Sequence, residues 1–208
     1  MMPSFQHPMR AARGVLRRVA RRSRVVIWWA PTSAAAAPGK AGYTLMRIRP
    51  GASASDVALA EDAMRMAGEP AGLVAPRLTQ GDDLFAWQSD GRIASFGWVT
   101  YRDRSIGPVR LADSPGRAFL YNFHTLDAHR CRGLLTGLLQ AVRSTLGGEG
   151  VTDLVGDVNV RNIASTRANE KAGFVPVVRV AFLTLLNRWR VPLQPTVLAD
   201  GGRHILPR

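Results

Sequence analysis

Phe119-Leu120-Tyr121-Asn122-Phe123-His124-Thr125-Leu126, followed by Arg130-Cys131-Arg132-Gly133-Leu134-Leu135, is the stretch on which the reading of this chain turns. Its first eight residues make a hydrophobic strand. The second run opens a helix, because Leu134, Leu135, Leu138, Leu139, Val142 and Leu146 recur at helical spacing until Gly147-Gly148 stops them. A helix start offers unpaired N–H groups and the positive end of the helix dipole, which together suit an anion. Gly133 lets a diphosphate approach the backbone closely, and Arg130 and Arg132 add guanidinium contacts.

A second signature lies downstream. Residues 152–160 alternate as a strand, and Asn162 then stands where a helix cap is needed. Ala164, Ala168 and Ala172 share one face of that helix, and Gly173 stops it before the strand that Phe174 opens. Upstream, Tyr43, Leu45, Met46 and Ile48 predict a strand, and Ser53 with Asp56 predicts a capped helix bearing Val57, Ala60, Met64 and Ala67. Residues 84–89 and 92–100 read as strands joined at Asp90-Gly91, a two-residue hairpin signal. The connection over residues 101–116 is a candidate substrate-side loop.

The two signatures, in this order and spacing, resemble the coenzyme A site of GNAT (GCN5-related) N-acetyltransferases. Arg130 and Gly133 match the family's Gln/Arg-x-x-Gly-x-Gly/Ala pattern, and Leu135 departs from its last small position. The likeness runs over residues 43–186 and implies an α/β fold: a mixed, twisted central sheet with helices on both faces. In that fold strands 119–126 and 152–160 splay apart, and the acyl-pantetheine arm enters the gap. Acetyl-CoA is the implied acyl donor, with no metal. Its implied contacts are the turn residues Arg130, Cys131, Arg132, Gly133, Leu134 and Leu135, exposed strand amides near Leu126 that orient the thioester carbonyl, and Asn162 with Ser165 beside the pantetheine arm. The implied reaction is direct attack of a primary amine through a tetrahedral intermediate, which needs a base and oxyanion stabilisation. His124 is the first candidate base, with Tyr121 and then Asp127 behind it. Many family members carry a thiol-protonating Tyr seven residues after the motif Asn, where this chain has Asn169. Solvent, Ser165 or Thr166 then takes that part, or the fold binds acyl-CoA without fast catalysis. The strand-and-turn run also resembles a bacterial subgroup linked to surface polysaccharides. The small-molecule acceptor it suggests is an amino sugar or a membrane-linked precursor. A protein N-terminus or lysine is the other acceptor class.

Charge is unevenly spread. The chain of 208 residues carries +13 overall, yet its first acidic residue is Asp56. Nine arginines and Lys40 precede it, which leaves only +3 for the rest. A nucleic-acid-binding protein spreads arginines and aromatics over its folded surface, so this balance argues against one. Arg10 to Arg24 interleave with Val15, Leu16 and Val19 as a basic amphipathic helix. That helix suits an anionic membrane surface or a solvated arm, and less well nucleic acid. The run Val25 to Ala30 is too short for a signal core or a membrane span. The expected organisation is therefore a basic extension over residues 1–30, a linker over 31–42, an acetyltransferase domain over 43–190 and a tail over 191–208. The setting that follows is cytoplasmic, with peripheral contact at the inner membrane face. Cys131, the single cysteine, excludes an internal disulfide. The apolar segment 177–186 either completes the sheet or pairs two copies into a homodimer.

Overall fold

Leu84, Ala86, Ile93, Phe96 and Trp98 face one side of their strands while Phe85, Trp87, Ala94 and Val99 face the other, so both surfaces of the sheet must be covered. The computed structural model of the chain describes residues 20–102, 104–106, 109–111, 114–185 and 189–199. Among them an eight-stranded sheet runs in the order β10, β9, β1, β8, β7, β4, β3, β2. The strands are β1 (Ala20–Pro31), β2 (Thr44–Ile48), β3 (Asp83–Ser89), β4 (Arg92–Thr100), β7 (Arg117–Thr125), β8 (Asp153–Asn159), β9 (Val175–Leu185) and β10 (Trp189–Val197). Helices α1 (Ala54–Met66) and α2 (Val74–Thr79) cover one face, and α3 (Leu134–Gly148) covers the other. Helix α4 (Ile163–Lys171) packs beside α3, and a short ribbon, β5 (Ser105–Ile106) with β6 (Val109–Arg110), lies on the α1 side.

Strand β1 overturns the expected extension. Residues 20–31 are no part of a basic arm: they sit inside the sheet, antiparallel to β8 on one side and to β9 on the other. Ile27 and Val25 pack under the ribbon, and Trp28 and Ala30 pack toward α3. A continuous apolar run of six residues is the length of a strand buried on both faces, which is why it fell short of a membrane segment. The helix expected over residues 10–24 lies outside the described residues up to 19 and is strand from Ala20 onward. The tail likewise gains structure, since β10 pairs with β9 from Trp189 to Val197. The segment 177–186 completes the sheet as far as Leu185.

The functional geometry comes from β7 and β8, which are parallel and pair only from Arg117 opposite Asp153 to Leu120 opposite Gly156. An Arg117–Asp153 ion pair of 2.7 Å closes that end. Beyond Leu120 the strands separate. Asn122 has φ 54°, and the register between β4 and β7 slips there, so two residues of β7 oppose Gly97. The bulge throws the Phe123 ring over Gly97, where a Cβ would lie 2.3 Å from it. Gly97→Ala is therefore expected to cost about 1–3 kcal/mol by overpacking. A lowered urea midpoint checks this, and an unchanged one shows that Phe123 moves aside without cost.

Candidate active site

The turn before α3 is built by two backbones with positive φ, Cys131 at 63° and Gly133 at 71°. Gly133 caps α3 without any side-chain bond, and the first helical bond is Gly137 N–H to the Gly133 carbonyl at 3.0 Å. The amides of Cys131 to Thr136 consequently have no hydrogen-bond partner among the described residues. Helix starts normally find a cap, and an uncapped arc of six N–H groups, the first three on exposed residues, suits an incoming anion. A cavity of about 560 Å³ opens directly onto this arc, lined by Arg130, Cys131, Gly133 to Thr136 and, across from them, Asn162 and Ser165. Arg167 and Lys171 of α4 give it a basic rim.

Most expected donor contacts come together here. Arg130, Cys131, Gly133, Leu134, Leu135, Asn162 and Ser165 all line this cavity. Asn162 caps α4, its Oδ1 accepting from Ser165 N–H at 3.1 Å. Arg130 is braced by Asp127 at 2.7 Å. Two expectations change. Arg132 turns away from the cavity and donates to Tyr43 Oη at 3.1 Å. Leu126 is buried and donates its N–H to the Ala94 carbonyl at 2.9 Å, so it offers the cavity no amide. Strand alternation then turns the amide of Thr125, one residue earlier, toward the splay.

Lys40, Tyr43 and His129 stand beside the same turn, a gathering that the sequence reading missed. The linker from β1 to β2 crosses α3, with Ser33 against Gly147 and Ala37 against the core. It brings Lys40 Nζ to 3.2 Å from where a Cβ on Gly133 would stand, and Tyr43 Oη to 3.1 Å from His129 Nδ1. A linker rich in Ala, Pro and Gly carries no signal of what it passes over, so only the path of β1 reveals these contacts.

A second cavity of about 270 Å³ fills the splay itself, between Leu120 to His124 and Gly156 to Asn159. His124 stacks on Phe96 with ring centroids 5.4 Å apart. With the Asn122 amide nitrogen toward Glu69 (3.0 Å) and His124 Nε2 (2.9 Å), its oxygen accepts from Arg77 at 3.1 Å. Nε2 thereby has a donor when the ring is neutral and Glu69 Oε1 at 3.2 Å when it is protonated. Tyr121 donates its hydroxyl to Asp82 at 2.5 Å. Burial and that hydrogen bond push the phenol well above its ordinary pKa, so Tyr121 keeps its proton at neutral pH. Asn169, at the position of the family's Tyr, is buried at the back of the splay and donates to the Ser165 carbonyl at 2.9 Å.

Residues 57–174 match the family model described as the acetyltransferase (GNAT) family. The chain belongs to the GNAT acetyltransferase family. Members transfer acyl groups from acyl-CoA. Solved GNAT structures show the same fold at low identity. A GCN5-related N-acetyltransferase from Sphaerobacter thermophilus has TM-score 0.56 and 15% identity over 90% of this chain and 59% of its own. A GNAT acetyltransferase from Colwellia psychrerythraea has TM-score 0.54 and 15% identity over 85% and 61%. One from Kribbella flavida has TM-score 0.53 and 18% identity over 83% and 62%. This GNAT chain thus spans about three fifths of the length of each. No curated protein matches it in sequence.

Proposed function

We propose that this GNAT protein transfers an acetyl group from acetyl-CoA to a primary amine of a small molecule. The observation that carries the reading is the uncapped arc of amides from Cys131 to Thr136 at the mouth of the splay between β7 and β8. These residues fit a CoA diphosphate: N–H donors, a glycine without Cβ and flanking cations converge on one point. Acetyl-CoA supplies a thioester already activated toward amines. The Thr125 amide stabilises negative charge on the thioester oxygen as the new C–N bond forms and the C–S bond breaks. His124 takes the amine proton through Nε2, and Glu69 meets the resulting charge. The thiolate leaves with a proton from solvent or Ser165, since Asn169 has none to give. Cys131 lies exposed in the turn with no His or Asp hydrogen-bonded to it, which favours direct transfer over an acyl-enzyme.

One observation favours a second reading, an acyl-CoA-binding protein without fast catalysis: Asn169 stands where an acid is expected. Calorimetry with acetyl-CoA, followed by thiol release against a panel of amines, separates the two. We expect micromolar binding and amine-dependent release, with His124→Gln lowering kcat on the order of 100-fold at unchanged donor affinity. Donor binding without release by any amine favours the second reading, and no donor binding overturns both.

A further inference from the structure

An acceptor cannot approach the thioester from the α3 side, where the amide arc and its cavity hold the donor, so it must enter the splay through the α1 face. On that face stands Arg104, between β4 and β5. Its guanidinium lies 4.2 Å over the Tyr121 ring, and its Nε is buried without a hydrogen-bond partner. Two sheltered arginines are matched, Arg47 with Asp83 and Arg117 with Asp153, as is the exposed Arg102 with Asp82. No carboxylate lies within ion-pair distance of Arg104 among the described residues. The one acid joined to its stack, Asp82, is already taken by Arg102 at 3.0 Å and the Tyr121 hydroxyl at 2.5 Å. A buried guanidinium N–H without an acceptor costs free energy that an arriving anion returns.

Asp157 is its counterpart. It lines the splay on β8 just past the last residue paired with β7, and its carboxylate has no hydrogen bond or ion pair among the described residues. It faces Arg104 electrostatically without touching it. Asp157 is exposed to solvent, yet partial desolvation in the splay raises the pKa of its carboxyl, and Arg104 opposes that shift. Burial likewise lowers the pKa of Arg104, with Asp157 opposing. An unmatched acid inside the splay and an unmatched base outside it leave a gap of defined polarity.

Resting on the acetyltransferase reading, we propose that the acceptor is a primary amine bearing its own anionic group, a carboxylate or a phosphate, with Arg104 holding the anion and Asp157 receiving the amine. The amine then points inward to the thioester and His124. Arg77, which lies 5.3 Å from the same Tyr121 ring, adds positive field at the outer end. A polyamine brings a second cation to this end and is repelled by both arginines.

The test is thiol release from acetyl-CoA with matched pairs: an amino acid against its amide, and glucosamine 6-phosphate against glucosamine. The anionic member of at least one pair is expected to win by about 100-fold in kcat/KM, because its partner leaves Arg104 unmatched. Which pair responds tells carboxylate from phosphate. In Arg104→Gln that preference falls to within a few-fold, through KM, while Arg104→Lys retains part of it and guards against a folding defect. Calorimetry of the same amines on CoA-loaded protein gives a readout without turnover, in which Asp157→Asn weakens the anionic amines. Equal use of both members, or selectivity untouched in Arg104→Gln, overturns this proposal alone. Absence of acetyl-CoA binding overturns the acetyltransferase reading instead.

Discussion

A chain beginning at Thr32 will not fold, and Ile27→Asp in the full chain will be destabilised by at least about 4 kcal/mol. Strand β1 is hydrogen-bonded on both edges, to β8 and to β9, so its removal separates β9 and β10 from the catalytic half of the sheet. Ile27 is fully buried among Val155, Val178 and Phe119, and it stands opposite Asp157, so a new carboxylate would meet a like charge across the ladder. Circular dichroism and a thermal melt of both variants check the claim. A truncated chain that melts cooperatively at the full-length temperature shows that residues 20–31 are an accessory after all.

Gly133→Asp will leave the melting temperature within a few degrees and lower acetyl-CoA affinity at least about 100-fold. The two effects part company for a physical reason. Aspartate tolerates the left-handed backbone of this position better than most residues, at a cost of about 1 kcal/mol, and its carboxylate then caps the free amides of α3 from within. Lys40 stands within reach of the new carboxylate. The protein has filled its own anion site, and a diphosphate meets a fixed negative charge there. Calorimetry set beside a melt reads both quantities. Full acetyl-CoA affinity in this variant places the donor elsewhere.

The amide arc was legible because its signals are local, helical periodicity after Arg132 and a glycine at the turn, with an Asn and a Gly bracketing α4, whereas the splay came only from the family resemblance. The place of β1 was not, since the run from Val25 to Ala30 specifies burial on two faces but not which strands bury it. Its partners lie about 120 to 165 residues away in sequence. Strand β10 hid for a related reason, as Pro192 and Pro195 read against a strand that an outermost position tolerates. Of the strand amides expected near Leu126, that of Leu126 itself is taken by Ala94, and the bulge at Asn122 that sets which amides face β4 carries no sequence signal. Arg104 carried no signal, being one arginine in a polar connection whose meaning depends on the unmatched Asp157 across the gap.

The strap over α3 ties two properties that are separate when each site is built from its own segment. Whatever affinity the nucleotide draws from Lys40 must reappear, by reciprocity, as resistance of residues 32–43 to peeling from the helix. Because that strap is continuous with the sheet's inserted strand, an occupied protein guards its own N-terminal seam against proteolysis better than an empty one.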